Sequence, residues 1–292
     1  MKSNGEIRNL AWRRLWADRW LSRLVGGMVL LGLCGYAVQF VLGGILATLN
    51  VQSWIDYMQA VADNGRDLTT PIPNLTSTFI FQATTSTALI FFLGYIMAGI
   101  AAYGGAVILL RCVRNEENGW LGAAFGGFAM PFGLLWLFVR YLLVLAGWTF
   151  IALGVPGLIA GVAYPFARTL PTELLAVAAG AGVAAALCWA IFVYCIPFYR
   201  YRFLWLVKAE HPDWGAGACM QACRDMMKGN MMRSVRLDCS YWKSIALLLL
   251  GLVISAFNLL AFVVWFFAII VIDQYVRVGQ CILYRELVGE RL

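Results

Sequence analysis

Long apolar runs alternate along this chain with short charged segments. Six runs can be marked, at residues 24–49, 79–110, 141–163, 174–198, 243–256 and 258–276. An apolar helix of about 20 residues crosses the hydrocarbon core of a bilayer. The expected fold class is therefore all-α: a single polytopic membrane domain over 1–292, with six transmembrane helices and helices lying at the cytoplasmic surface. Two stretches need a decision. Residues 120–166 are apolar apart from Arg140. Two full spans there would put Arg140 outside and turn every later loop over. The alternative keeps Arg140 at the inner boundary, makes 120–139 an interfacial or re-entrant helix broken by Gly126, Gly127, Pro131 and Gly133, and starts the third span at Tyr141. Residues 242–287 form the second. As one helix they would be about 69 Å long, over twice the bilayer core of roughly 30 Å. Two spans with a turn near residues 255–258 fit better than one span over 245–272, which would leave Arg277, Arg285 and Arg291 outside.

Charge orients these spans. Under the six-span reading, all but Arg66 and Arg168 of the 22 Lys and Arg residues lie on one side. Basic loops stay cytoplasmic. Both termini are then expected in the cytoplasm and the protein in the cell's inner, cytoplasmic membrane. Residues 50–78 and 164–172 form outside loops; residues 199–243 form the largest inside segment. The net charge of +7 becomes a property of the inner face. It suits anionic inner-leaflet lipid, and it is not read as a nucleic-acid surface. A composition that is 62% hydrophobic and 13% charged excludes a soluble domain. The first apolar run exceeds the h-region of a signal peptide, so it reads as an uncleaved span.

Within the inner segments, residues 3–23 read as a cytoplasmic interfacial helix. Ser3 and Glu6 have capping-box spacing. Trp12, Trp16 and Trp20 recur every four residues among Arg13, Arg14, Arg19 and other arginines, a pattern suited to headgroups. A charged lead-in to the first span is the alternative. Residues 212–228 read as a second cytoplasmic helix, opened by Pro212 and Asp213 and closed by Lys228 and Gly229. Asn74-Leu75-Thr76 matches a glycosylation sequon, a weak signal on its own.

Catalytic chemistry is not encoded in any pattern found. The single histidine, His211, argues against a histidine-based metal site, and neither a Walker loop, a metalloprotease box nor paired intramembrane aspartates are present. No catalytic residue, metal or cofactor is assigned, and the chain is read as a non-enzyme. The 8 cysteines avoid the two outside loops, which argues against a disulfide framework. Cys219 and Cys223 sit at i,i+4, either as packing residues or as half of a metal site.

Several residues are candidates for contact with lipid or a partner: Arg13, Arg14, Arg19, Lys228, Gly229, Asn230, Arg233 and Arg236. The box Met227-Lys228-Gly229-Asn230 is either a headgroup contact or a helix C-cap and turn. Asp238 is expected to cap the fifth span or to pair with an arginine, in preference to catalysis. The intramembrane polar candidates are Asp273, Arg277 and Asn258. Asp273 and Arg277 have the spacing of a helical ion pair, against which stands an ion or proton path. Gln39, Gln82, residues 84–87 and Asn258 are read as bonds between helices.

The C-terminal third carries a resemblance. Met227, Lys228, Gly229 and Asn230, then Leu237, Asp238, Ser240, Tyr241 and Trp242, then Tyr284, Glu286 and Leu287 resemble the signature boxes of an uncharacterised bacterial six-helix integral membrane family. That family is catalogued only as a domain of unknown function (number nine hundred and seventy-five). Arg8, Ala11, Leu15 and Trp20 fit its opening. Cys223 stands where the family commonly has serine, and Gln274-Tyr275 where it has Pro-Tyr. The resemblance implies six spans with inner termini and no reaction. The functional expectation is an accessory or scaffold protein of the membrane whose basic face contacts lipid, a protein partner or a second copy. A small transporter or channel subunit using Asp273 is the second reading, and a lipid-modifying enzyme the third.

Overall fold

The structure is a computed structural model, and it describes residues 2–63, 73–116, 119–167, 171–255 and 259–289. It is all-helical: among the described residues there is no strand. Five stretches are long and apolar enough to cross a membrane, namely Trp20–Ile45, Phe92–Arg114, Pro131–Pro165, Leu174–Glu210 and Ala261–Val288.

Helix α1 (Asn4–Trp16) starts at a capping box: Glu6 N–H donates to Ser3 Oγ and Ser3 N–H to Glu6 Oε2. That bond to the carboxylate holds the Glu6 acid below its usual range. Ile7, Ala11 and Leu15 form its buried stripe, one turn apart, against the last helix, α11 (Leu259–Val288). The expected single helix over 3–23 is interrupted. A 3-10 turn at Ala17–Arg19, with Arg19 at φ +58, redirects the chain. Trp12 and Trp16 stay exposed while Trp20 is fully buried. The three tryptophans thus share a spacing but not a face, because the turn breaks the period.

Helix α2 (Trp20–Asp63) continues beyond the expected end of the first span, and α3 (Pro73–Arg114) starts before the second. Much of the expected loop 50–78 is helical; residues 64–72 lie outside the described residues. Proline at the first position of α3 suits a helix start. Phe92–Arg114 is the most buried of the apolar stretches, since α3 packs against α2, α5 (Pro131–Ala167), α7 (Leu204–Glu210) and α11.

Residues 120–139 do not form one unit. A short α4 (Trp120–Ala124) and a 3-10 turn (Phe125–Ala129) lead to a break at Met130, and α5 runs unbroken from Pro131 to Ala167. Arg140 lies inside α5, so the expected start at Tyr141 moves to Pro131. The physical reason is local: proline pre-sets the first turn, and nothing near Arg140 breaks a helix. The arginine is accommodated by lying over the Trp136 ring, 5.6 Å from its centroid, with its guanidinium against Gly217. Gly104 of α3 is required by packing, because a Cβ there would overlap the Ala124 carbonyl.

Helix α6 (Thr172–Arg200) returns beside α5. Tyr194 Oη donates to Thr149 Oγ1 (2.7 Å), which donates in turn to the Leu145 carbonyl (2.9 Å). The inner segment then folds into α7 (Leu204–Glu210), α8 (Ala216–Met227) and α9 (Met231–Ser240). The expected helix at 212–228 starts later, at Ala216. Pro212 and Asp213 instead form a turn, held by the buried Lys208 ammonium, which donates to the carbonyls of Pro212 (2.6 Å) and Trp214 (2.8 Å). Gly229 follows α8 at φ +84, as a glycine after a helix end should.

Helices α10 (Trp242–Ser255) and α11 (Leu259–Val288) pack together, with Trp265 Nε1 donating to the Leu248 carbonyl (2.9 Å). Asn258 and the expected turn lie outside the described residues. α11 does not stop near residue 276 but continues to Val288. Its last turns enter the main core with α1, the end of α3, and α7–α9; Cys281, Ile282, Leu283 and Tyr284 are among the most buried residues.

Candidate functional site

Three carboxylates hold the core end together, each by an arginine and a second donor. Glu210 at the end of α7 receives Arg114 from α3 and Tyr284 Oη from α11. Glu286 on α11 receives Arg233 from α9 and the backbone N–H of Lys2 (2.9 Å), while Arg233 also donates to the Lys2 carbonyl (3.2 Å). Asp238 on α9 is gripped by both nitrogens of the Arg202 fork, one at 3.0 Å, by Tyr199 Oη (3.0 Å) and by Gln280 Nε2. Gln280 Oε1 in turn accepts from the buried Ser234 hydroxyl (3.3 Å). A partly buried charge is costly alone and tolerable when paired and hydrogen-bonded. Each carboxylate joins helices far apart in sequence, so these clusters position the inner face. Asp238 is thus a pairing residue; it does not cap α10.

Two of the contact candidates from sequence are tied up in this framework. Arg233 faces inward to Glu286, and Asn230 Nδ2 donates to the Met226 carbonyl (2.9 Å), closing the end of α8. Arg13, Arg19 and Arg236 are exposed, and Arg14 is half-buried. Lys228 and Gly229 are exposed too, and they line a cavity of about 580 Å³ between the end of α6, the end of α8 and the start of α9. Arg200 and Arg224 join them there, with Gln221, Asp225 and Ile196. Arg200 and Arg224 were missed in the sequence. The available signal was the close spacing of Arg224 and Lys228 at the end of α8, with Lys228 just past its last residue; only folding brings Arg200 to them.

A second cavity, of about 320 Å³, lies between α3, α7 and α11. Asp273, Arg277, Arg202 and Gln280 contribute its polar lining, and Gly105, Ala106 and Trp205 part of the rest. Asp273 and Arg277 pair at 2.7 Å with side chains about half exposed. Cys219 and Cys223 pack in the core, and burial pushes both thiols up, away from the thiolate that binds metals. Among the described residues no three His, Cys, Asp or Glu side chains gather.

No protein-family model, curated protein or solved structure matches this chain.

Proposed function

We propose that this is a multi-pass protein of the inner membrane, with six spans and both termini cytoplasmic, acting as a non-enzymatic accessory or scaffold whose basic inner face contacts anionic lipid or a protein partner. The observation that carries the reading is the separation of two surfaces. Apolar side chains stand exposed along α5 and α6, such as Phe150 at 80% and Val177 at 72%, while the charged residues gather at the end that holds the main core. Exposed apolar surface on this scale matches a hydrocarbon solvent. The split of basic residues sets the orientation.

The fifth span is the least comfortable. At 14 residues α10 is about 21 Å long, shorter than the bilayer core of roughly 30 Å. It crosses with help from its flanking residues and a locally thinned bilayer. At the other extreme, α2 and α3 are longer than the core requires and extend past it on the outside.

A reporter fused after Leu292 should read cytoplasmic, and one placed between α2 and α3 external. A C-terminal reporter that reads external removes the six-span topology. The second reading, a transporter or channel subunit, draws on the cavity lined by Asp273, Arg277 and Gln280. It requires Asp273→Asn to abolish an ion or proton flux in proteoliposomes while leaving the fold intact.

A further inference from the structure

We infer that the cavity formed by Arg200, Arg224 and Lys228 is a binding site for the phosphate headgroup of an anionic phospholipid, with the acyl chains lying along the exposed face of α6. This rests on the reading that the basic face meets the inner leaflet.

Charge supplies the first argument. Three cations and one carboxylate, Asp225, line the cavity, so it carries a net charge of +2. None of the three cations has an ion pair among the described residues, although Arg114, Arg202, Arg233 and Arg277 all do. The framework has used its carboxylates elsewhere and left these three for another anion. Arginine presents a planar fork that suits phosphate oxygens, and lysine a mobile point charge beside it.

The backbone around the cavity agrees. The C-terminal end of α8 would repel an anion if its carbonyls were free. They are occupied: Lys228 N–H bonds the Arg224 and Asp225 carbonyls, and Asn230 covers those of Met226 and Met227. The next helix, α9, begins at Met231 on the cavity wall, so its positive end lies beside the same space. Gly229, at φ +84 and with open space where a side chain would be, adds no bulk between them.

Position selects a lipid over a free anion. The cavity sits where the apolar surface of α6 stops. Ile191 and Phe192 are each 64% exposed, Ile196 forms the cavity's apolar lip, and Arg200 is the last residue of the helix. A molecule that fills both surfaces is charged at one end and apolar beyond it. That is the shape of a phospholipid, whereas inorganic phosphate would use only the basic half.

The test uses the full chain in neutral detergent, with bound lipid counted by native mass spectrometry for phosphatidylglycerol and phosphatidylcholine. Wild type should hold phosphatidylglycerol tightly and phosphatidylcholine weakly. The triple variant R200Q/R224Q/K228Q should weaken phosphatidylglycerol binding on the order of a hundredfold, taking roughly fivefold for each basic residue at a membrane surface. The variant K243Q removes one exposed cation of the same inner segment outside the cavity and should keep the bound lipid. If the triple variant does not fold, as judged by thermal unfolding, Lys228→Gln alone should weaken binding about fivefold. Unchanged binding in the triple variant overturns the site while leaving the basic-face reading standing. So does a loss in K243Q equal to that in K228Q, which would mean diffuse attraction. Displacement of the lipid by millimolar inorganic phosphate would make this a small-anion site and overturn the lipid assignment. A wild type that shows no preference for phosphatidylglycerol overturns both this inference and the reading beneath it.

Discussion

Leu237 on α9 and Leu158 on α5 are the same residue under opposite conditions. Leu237 is fully buried in a helix that also carries Arg233, Arg236 and Asp238, and Leu158 is 73% exposed in the part of α5 beyond Arg140, which carries no charge. The basic end is built like a soluble protein. It hides its leucines, pairs its carboxylates and turns spare cations outward. The α5–α6 hairpin hides little and has few polar bonds, such as the step from Tyr194 to Thr149 to the Leu145 carbonyl. Burial is driven by expulsion of apolar surface from water. Where the solvent is hydrocarbon that drive vanishes, and helices need only satisfy their own backbone. Under the proposed membrane reading, one chain follows two sets of packing rules, with the change near Arg200 and Arg140.

Labelling offers the largest contrast. Cys239, Cys188 and Cys195 are all exposed, the first on α9 and the others on α6. An impermeant maleimide applied to the cytoplasmic face should modify Cys239 and spare Cys188 and Cys195, measured on single-cysteine variants by mass shift. Cys219 and Cys223 should resist for a different reason, being buried with their thiols pushed up. If Cys188 and Cys195 react as fast as Cys239, α6 faces water and the comparison fails.

Removing one member of a carboxylate cluster should be felt next. Asp238→Ala leaves Arg202, Tyr199 and Gln280 without their shared acceptor. A loss of about 3 kcal/mol is expected, read as a lowered unfolding midpoint in detergent. Thr149→Val, which breaks the Tyr194 bond in the apolar hairpin, should cost less than about 1 kcal/mol. Equal costs would mean that the two regions are not stabilised differently.

Packing at Gly279 tests the same end more finely. A Cβ there would overlap Tyr241 Oη, a buried hydroxyl without a hydrogen-bond partner among the described residues. Gly279→Ala should cost about 1–3 kcal/mol through overpacking. Tyr241→Phe should be close to neutral alone and should restore part of that loss in the double variant. Failure of the rescue would locate the conflict elsewhere on α11.

The smallest effect is expected at Asp273 and Arg277. With both side chains about half exposed, their coupling in a double-mutant cycle should stay below about 1 kcal/mol. A coupling several times larger would place the pair in hydrocarbon. It would shift the boundary between the two regions along α11.

The helical class and the apolar stretches were legible because their signal is local. A run of apolar residues of that length has few alternatives to a long helix. The Ser3–Glu6 cap, the glycine at 229 and the Asp273–Arg277 pair were legible for the same reason, since each lies within one or two turns of chain. Boundaries were not. Arg140 marks a charge in the sequence, and a helix carries it without interruption once Trp136 and Gly217 receive it. Trp20 follows Trp16 at helical spacing, and a turn of three residues sends it to the core.

By itself, then, the sequence determined which parts of this protein are apolar enough to cross a membrane and where its basic residues accumulate. Those are sums over neighbouring residues. Only the tertiary structure decided which cations are used up: Arg233 by Glu286, Arg202 by Asp238, Arg114 by Glu210, each pair spanning many residues of chain. It also decided that Arg200 would meet Arg224 and Lys228 across a cavity. Electrostatic partnership depends on distance in space, and beyond a few helical turns distance along the chain says nothing about it.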